Sequence, residues 1–306
     1  MATKVISTWE QFIASATESI TEDTTYIITS DFDLSSSVFE SGITWSGGGS
    51  YRKTYTTEDT SLDGAKKING LTYYGGSYLF NFGSQNITFY NIHFTNCQIT
   101  SGFLFYSAHY LVNAPILLFN RCIVTGFINI LNHNYMNASG SDNQYWGTVF
   151  YQCAFNIKGT ILSNYNGYHN WAIFTECWIH FDKLGNASNV IANHIFLCQC
   201  YIEGNIDLGS NNYLIQYYGT YNIVLNMNIT TTASSNRYLF YQGSYTPRND
   251  SSYPNYWYGT NYSIVNSSKL AQTWNDSTTT LTRLTDTQMK DVTAINTAAP
   301  NFPISL

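Results

Sequence analysis

Short bursts of alternating apolar and polar residues fill the middle of the chain, and one phrase recurs in them. An apolar pair is followed by a polar residue, a cysteine, and an apolar residue two places on. The copies are residues 94–99, 118–124, 149–155, 173–179 and 196–202, then 223–229 with methionine at the cysteine position. Successive Cys or Met positions lie 25, 31, 24, 23 and 27 residues apart. Such a variable repeat is typical of a solenoid.

The apolar residues favour Ile, Val, Phe and Tyr and show no helical period, so each burst predicts a β-strand. Three short strands would account for the length of one repeat, which makes the predicted fold all-β, a parallel β-helix. The positions three before Cys, at Cys and two after it are predicted to face inward. The step of three requires a bend just before Cys, at polar residues expected to stay hydrated: Asn96, Arg121, Gln152, Glu176, Gln199 and Asn226. Glycines predict a second corner: Gly102, Gly126, Gly159, Gly185 and Gly204.

In this arrangement the repeated position forms one interior ladder, stacked at the strand spacing of about 4.8 Å. Its predicted members are Cys97, Cys122, Cys153, Cys177, Cys200 and Met227. Buried free cysteine packs as a small hydrophobic residue. Disulfides or a metal site are the alternatives, and the absence of any C-x-x-C pair disfavours them.

Four regions are predicted along the chain. Residues 1–34 hold an N-terminal capping helix and a first strand, with a capping box at Ser7 and Glu10 and an apolar helix face of Trp9, Phe12 and Ile13. Residues 35–85 form irregular early coils with a polar insertion at 35–67, and residues 86–245 form the regular coils. Residues 246–306 form an aromatic loop and a short C-terminal capping or docking segment.

Composition and charge narrow the function classes. Only 10% of the 306 residues are charged, 17% are aromatic, and the net charge is −6 with 13 Lys and Arg. No basic patch is visible, which argues against nucleic acid as a partner. No apolar run is long enough for membrane insertion and the start lacks a signal peptide, so we expect synthesis in a cytoplasm.

One group of side chains fits catalysis. Asp182 and Glu203 fall on neighbouring coils, with His180 stacked beside Glu203, and glycoside hydrolysis needs two nearby carboxylates. The same register also holds Thr100, Thr125, Asn156 and Thr230, so we interpret the group as a solvated polar column and keep catalysis as the alternative. The six histidines show no metal-ligand spacing, and no motif indicates a cofactor.

Aromatic residues alternate with Asn and Gly in segments predicted as loops. The candidate binding residues are Tyr135, Tyr145, Trp146, Tyr165, Tyr168, Trp171, Tyr217, Tyr218, Trp257 and Tyr258. Rigid rings beside amide groups suit a sugar or a protein neighbour, and they equally suit packing of the loops onto the coils.

The chain resembles a known superfamily through four features in order. These are the helix with Trp9-Glu10 and Phe12, the strand 25–28, the turn 68–70 and the repeated strand-polar-Cys-strand phrase. Together they are similar to the right-handed, pectin-lyase-like β-helix superfamily over residues 7–245. Residues 284–290 and 301–304 are similar to terminal segments of surface and phage proteins of gut bacteria. The Asn-Thr-Asp, Asp-Asp and Gly-His-Gly signatures of pectin-hydrolysing members are absent from the chain.

The resemblance implies a non-enzymatic branch of bacteriophage virion and bacterial surface proteins. We expect a structural virion component in a tail, fibre or capsid appendage, assembled in the host cytoplasm with other virion proteins. It would face a host surface glycan or protein, and the family implies a homo-oligomer such as a trimer. The alternatives are a bacterial surface adhesin and a tailspike-like polysaccharide depolymerase using Asp182, Glu203 and His180.

Overall fold

The structure is a computed structural model in which nearly all regular structure is β-strand. It describes residues 1–59, 61–99, 102–109, 117–135, 145–159, 162–164, 170–183, 192–198, 200–207, 213–221, 224–230, 237–241, 255–258, 270–271 and 281–283. The predicted all-β class is confirmed for these residues.

The N-terminal elements are β1 (Ala2–Ile6), α1 (Trp9–Thr17), β2 (Thr24–Ile28), β3 (Phe32–Asp33), β4 (Val38–Phe39), β5 (Ile43–Thr44), β6 (Arg52–Thr56), a short 3-10 helix (Leu62–Gly64), β7 (Lys66–Asn69), β8 (Thr72–Tyr73) and β9 (Tyr78–Asn81). The central strands are β10 (Asn86–Tyr90), β11 (Ile92–Ile99), β12 (Phe103–His109), β13 (Leu117–Asn120), β14 (Ile123–Phe127), β15 (Leu131–Tyr135), β16 (Tyr145–Tyr151), β17 (Ala154–Ile157) and β18 (Leu162–Asn164). The later strands are β19 (Asn170–Thr175), β20 (Trp178–Lys183), β21 (Ala192–Cys198), β22 (Tyr201–Asp207), β23 (Tyr213–Tyr221), β24 (Val224–Thr230), β25 (Arg237–Tyr241), β26 (Asn255–Tyr258), β27 (Leu270–Ala271) and β28 (Leu281–Arg283).

The strands form three sheets in which every described pair is parallel. Sheet A has eleven strands in the order β1-β2-β6-β10-β13-β16-β19-β21-β23-β25-β27. Sheet B has twelve, including the path β28-β26-β24-β22-β20-β17-β14-β11-β7-β3, and sheet C has the order β18-β15-β12-β9-β5. From β10 to β18 the chain visits A, B and C in turn and then repeats. This arrangement is compatible with a β-helix.

A column of stacked aromatic rings lies on the inner face of sheet A. It runs through Tyr26, Tyr55, Phe89, Phe119, Phe150 and Phe174, with successive ring centroids 5.1, 5.2, 5.4, 4.8 and 4.7 Å apart and interplanar angles of 20° or less. All six rings are almost fully buried. Parallel in-register pairing places equivalent residues above one another, so one ring per coil builds a continuous stack.

The bends between sheets A and B have left-handed backbone. Arg121, Gln152 and Glu176 have φ values of 54°, 52° and 53°, and Asn91 has 59°. The predicted bend is thus confirmed at these three positions, but Glu176 is only 8% exposed and does not stay hydrated as expected. Its Oε2 accepts a hydrogen bond of 2.9 Å from Gln152 Nε2, which provides the polar contact that water was expected to give. Gln199 lies outside the described residues, and Asn226 lies within β24.

The predicted ladder is confirmed for four cysteines and wrong at both ends. Because Phe89 pairs with Phe119 and Phe94 with Val124, Ile92 rather than Cys97 lies in the column of Cys122. Cys97 pairs instead with Gly126, at the start of a second column. That column continues through Ile157, Phe181, Gly204 and Met227.

A false local match explains the error. The coil before Cys122 contains two left-handed bends, at Asn91 and at Asn96 (φ 53°), and each is followed by similar apolar residues. Only strand pairing distinguishes the bend that aligns with Arg121.

Gly126, in the second column, has a φ of 141°, and a Cβ there would collide with the Cys97 carbonyl oxygen, which accounts for glycine at this position.

The ladder thiols are free, buried and hydrogen-bonded to the preceding coil. The Sγ–H groups of Cys122, Cys153, Cys177 and Cys200 donate to the carbonyl oxygens of Phe89, Phe119, Phe150 and Phe174 at 3.5, 3.6, 3.4 and 3.2 Å. Burial raises the pKa of Cys122 and Cys177 well above the ordinary thiol value, which keeps these donors protonated. Cysteine therefore serves here as a small residue with a weak donor.

Helix α1 packs on the aromatic interior at the N-terminal end. Its Phe12 is fully buried and contacts Tyr55, with ring centroids 5.2 Å apart. The capping box is shifted by one residue from the prediction: Thr8 is the N-cap and Gln11 the reciprocal partner. The predicted capping helix is otherwise confirmed. It is preceded by an unpredicted strand, β1, that forms one edge of sheet A.

Lys53 is a fully buried cation beneath this helix. Its Nζ donates to the carbonyl oxygens of Ser15 and Ala16 at 2.9 Å each and of Ser46 at 2.7 Å. Burial lowers the pKa of Lys53 to about 8, so it remains mainly an ammonium group at pH 7. Because the two helix carbonyls lie in its last turn, the cation also interacts favourably with the helix dipole.

Two predicted boundaries are wrong. Residues 35–67 are not an insertion, because they contain β4, β5 and β6, which pair with β8, β9 and with β2 and β10. Strand pairing also passes residue 245, since β26 pairs with β24 and β28. Strands of two to five residues carry too little hydrophobic pattern to be detected alone. The predicted C-terminal segments, 284–290 and 301–304, lie outside the described residues.

We expect Phe119→Ala to lower the free energy of unfolding by about 3–5 kcal/mol, because it leaves a cavity between the rings of Phe89 and Phe150. Urea denaturation followed by far-UV circular dichroism measures this. Phe127→Ala is the matched control, since Phe127 is 51% exposed and should cost less than about 0.5 kcal/mol. Equal losses in both variants would contradict the stacked interior.

Lys53→Met should destabilise the chain by about 3 kcal/mol at pH 7, because three carbonyl oxygens lose their shared donor while side-chain volume is kept. The urea midpoint provides the measurement. Lys4, which pairs with Glu18 at the surface, is the control, and Lys4→Met should cost less than about 1 kcal/mol. A Lys53→Met variant as stable as Lys4→Met would show that the buried ammonium does not hold the helix.

Candidate functional site

Strand pairing aligns polar residues of five adjacent strands of sheet B in a single register. Thr125 pairs with Asn156, Asn156 with His180, His180 with Glu203, and Glu203 with Asn226. Their neighbours in sequence, such as Phe155 and Ile179, are fully buried, so the alternation is inward apolar and outward polar. The predicted stacking of His180 beside Glu203 is confirmed. Thr230 was predicted in this column from the position of Met227, but it pairs with Asp207 instead. Thr100 lies outside the described residues.

His180 lies between two carboxylates. Its Nδ1 is 3.3 Å from Glu203 Oε1 on β22, and its Nε2 is 3.5 Å from Asp182 Oδ2 on the same strand. The three side chains are 29%, 26% and 34% exposed, so all three reach solvent. The structure thus brings together the three residues that the sequence grouped as a catalytic alternative. A neutral imidazole has one N–H and can donate to only one of these carboxylates at a time.

Asn205 fixes the Asp182 carboxylate in place. Asp182 Oδ1 accepts hydrogen bonds from Asn205 Nδ2 at 2.8 Å and from the Asn205 backbone N–H at 3.1 Å. Partial burial raises the pKa of Asp182, but these hydrogen bonds and the neighbouring His180 outweigh it, leaving the pKa below its usual value. Asp182 is therefore an ionised acceptor at neutral pH rather than a proton donor.

Glycoside hydrolysis places specific requirements on a pair of carboxyl groups. Hydrolysis needs a protonated carboxyl on one side of the sugar and a carboxylate on the other, with room between them for substrate. Here both carboxylates contact the imidazole of His180, and the pKa of Asp182 is lowered. The carboxylate oxygens are instead placed to accept hydrogen bonds from a ligand.

Two aromatic residues that the sequence reasoning missed border the cluster. Trp178 and His180 have nearly parallel rings, with centroids 5.7 Å apart and an interplanar angle of 15°. Tyr201 pairs in register with Trp178, and both are partly exposed. The available signal was their position one residue after Cys177 and Cys200, which strand alternation places on the outer face.

The aromatic residues predicted in loops lie largely in strands. Tyr135 ends β15, Tyr145 and Trp146 begin β16, Trp171 is in β19, Tyr217 and Tyr218 are in β23, and Trp257 and Tyr258 are in β26. The loop prediction is wrong for these eight. Tyr and Trp have high strand propensity, which outweighs the intervening Asn and Gly. Tyr165 and Tyr168 lie outside the described residues.

Strand pairing brings some of these aromatic positions together. Trp146 pairs with Trp171 between β16 and β19. Tyr258 pairs with Asn226 and so continues the register of His180 and Glu203. The aromatic positions are therefore parts of the sheets, not of a separate cluster.

Over the part of the chain that the structure describes, no group of three or more His, Cys, Asp or Glu side chains could hold a metal ion. In the same residues, no helix has the length and apolar character needed to span a bilayer. No family model matches the chain, and neither curated proteins nor solved structures gave a match.

His93, in strand β11, is a buried histidine. It is 7% exposed and pairs with Lys67 of β7. Burial, aided by the charge of Lys67, lowers the pKa of His93 to about 4. The folded chain therefore holds this imidazole neutral at pH values where an unfolded histidine becomes charged.

We expect the free energy of unfolding to fall as pH drops from about 6.5 to about 4, because the unfolded state binds the His93 proton more tightly than the folded state. The His93 contribution is about 3 kcal/mol across this window. Urea denaturation at pH 7 and pH 4.5 measures it. His93→Gln should lose distinctly less stability over the same step, and identical losses in the two proteins would contradict the assignment.

Proposed function

We propose that this chain is a right-handed parallel β-helix of the pectin-lyase-like kind, serving as a structural component of a bacteriophage virion. Its place would be a tail, fibre or capsid appendage, where it acts by binding. One observation supports the β-helix: the chain returns repeatedly to the same three parallel sheets, and its strands pair in register. Each repeat places one aromatic ring and one thiol in the interior. The sequence resemblance to virion and surface proteins carries the assignment to a particle.

The absence of catalysis is part of this proposal. His180 lies between Asp182 and Glu203 at 3.5 and 3.3 Å and contacts both carboxylates. The lowered pKa of Asp182 removes it as a general acid. The same side chains suit a surface that recognises a ligand and releases it unchanged.

Other virion proteins and further copies of the chain are the proposed partners. Sheet A alone has eleven strands, which at about 4.8 Å each extend over about 50 Å. Long parallel sheets of this kind offer faces for side-by-side association, and a trimer fits the family resemblance. A host surface glycan or protein is the proposed target of the aromatic residues in these sheets.

A second candidate function is a polysaccharide depolymerase of the tailspike kind. It is favoured by one observation, the convergence of His180, Asp182 and Glu203 on two adjacent strands. Movement of the imidazole out of the gap on substrate binding would be needed to free both carboxylates. A bacterial surface adhesin would use the same fold in binding and differs only in location.

Fractionation tests the main proposal. Lysates of cells that produce the chain are separated on a density gradient, and each fraction is probed with an antibody raised against the purified protein. We expect the antigen to sediment with phage-like particles visible by negative-stain electron microscopy. Light scattering of the purified chain gives its oligomeric state in parallel.

Two outcomes would redirect the proposal. Antigen on the surface of intact cells, with none in particles, would replace the virion assignment with the adhesin. Release of reducing ends from host polysaccharide, lost in both Asp182→Asn and Glu203→Gln, would replace it with the depolymerase. Matched circular dichroism spectra of these variants are the control for folding.

A further inference from the structure

The cluster around His180 belongs to a larger partly exposed surface on adjacent strands β20 and β22, here named the outer patch. It consists of Trp178, His180, Asp182, Tyr201, Glu203 and Asn205. Each strand contributes alternate residues to the same outer face, two residues apart. Three pairs therefore stand side by side, in the order ring, polar group and polar group along both strands.

We propose that the outer patch binds a neutral oligosaccharide. The inference deepens the proposed function, because it rests on the chain acting by binding, and it names the ligand class and the residues that hold it. The occupant follows from three properties of the patch: its rings, its acceptors and its charge.

The rings provide a surface for the apolar face of a sugar. Trp178 and Tyr201 pair directly across the two strands, and the Trp178 ring is nearly parallel to that of His180. Aromatic side chains combine a large apolar area with little loss of conformational freedom on binding. A pyranose ring can cover such an area with its C–H groups while its hydroxyls point towards the neighbouring polar residues.

The polar groups are held ready to accept from hydroxyl donors. Asp182 is fixed by two hydrogen bonds from Asn205, and Glu203 is held by His180. A carboxylate has about four acceptor sites, so each retains acceptor capacity after these contacts. Because the acceptors are already oriented, little side-chain order is lost when a sugar binds.

The charge of the patch selects against acidic sugars. Asp182 and Glu203 stand on neighbouring strands with a single histidine between them. A sialic acid or uronic acid carboxylate brought to this surface would meet like charge, which is destabilising. Neutral hexose or N-acetylhexosamine chains carry the donors that the patch accepts without this cost.

The full chain is tested on a printed array of neutral and acidic oligosaccharides. Calorimetric titration with the strongest neutral probe follows. We expect binding to neutral probes only, at least tenfold weaker binding in Trp178→Ala, and recovery of most of the affinity in Trp178→Phe. Glu203→Gln should weaken binding several-fold by removing the charged acceptor. Phe127→Ala, an exposed ring on sheet B outside the patch, should bind like the original chain.

Thermal unfolding of each variant separates loss of binding from loss of fold. The proposal is overturned by preference for acidic glycans, by no binding to any neutral probe, or by full affinity in a folded Trp178→Ala variant. Cleavage of the probe during titration would instead support the depolymerase. Association with particles is measured independently, so the virion assignment can survive the failure of this inference.

Discussion

The structure depends on parallel, in-register pairing of each strand with its neighbours in the same sheet. This pairing places equivalent side chains directly over one another, so every inward side chain must pack against the equivalent side chain about 4.8 Å away. Flat rings meet this requirement well, because they stack at that spacing without changing rotamer. The column from Tyr26 to Phe174 is the clearest result, since its rings remain parallel to within 20°.

The bends are the second constraint. A left-handed residue is costly for most side chains, yet Asn91, Arg121, Gln152 and Glu176 all adopt it in the same register. The surrounding coils impose this conformation, because the sheets on either side fix where the chain must turn. The residues share a polar side chain that can bond to its counterpart above or below, as Gln152 does with Glu176. The other two bend residues have different polar partners: Asn91 donates to the carbonyl oxygen of Ser61, and Arg121 donates to the hydroxyl of Tyr90.

Sequence periodicity predicts the strand content and most of the inward residues. It also places His180 beside Glu203 correctly, because the spacing from Cys177 and Cys200 is unambiguous there. It cannot resolve Cys97, since two similar bends, at Asn91 and Asn96, precede Cys122 and only pairing partners decide the register. It also misplaces Met227, because the residues around it imitate the repeated phrase although β24 continues through Asn226. It also misses Lys53, because a buried lysine depends on carbonyls of a distant helix, although its position two residues before Tyr55 indicates the inner face.

The hydrogen bonds of the thiol column all link a cysteine to a carbonyl group earlier in the chain. Each thiol from Cys122 onward lies within hydrogen-bond distance of a carbonyl oxygen of the preceding repeat. Cys122, Cys153 and Cys177 also lie near the carbonyl oxygen two residues earlier in the chain. Acceptors therefore exist before their donors as the polypeptide emerges from the ribosome, with 24 residues between Cys153 and Cys177 and 23 between Cys177 and Cys200. Strands can then add one after another from the amino-terminal end, where Lys53 holds α1 against the first strands.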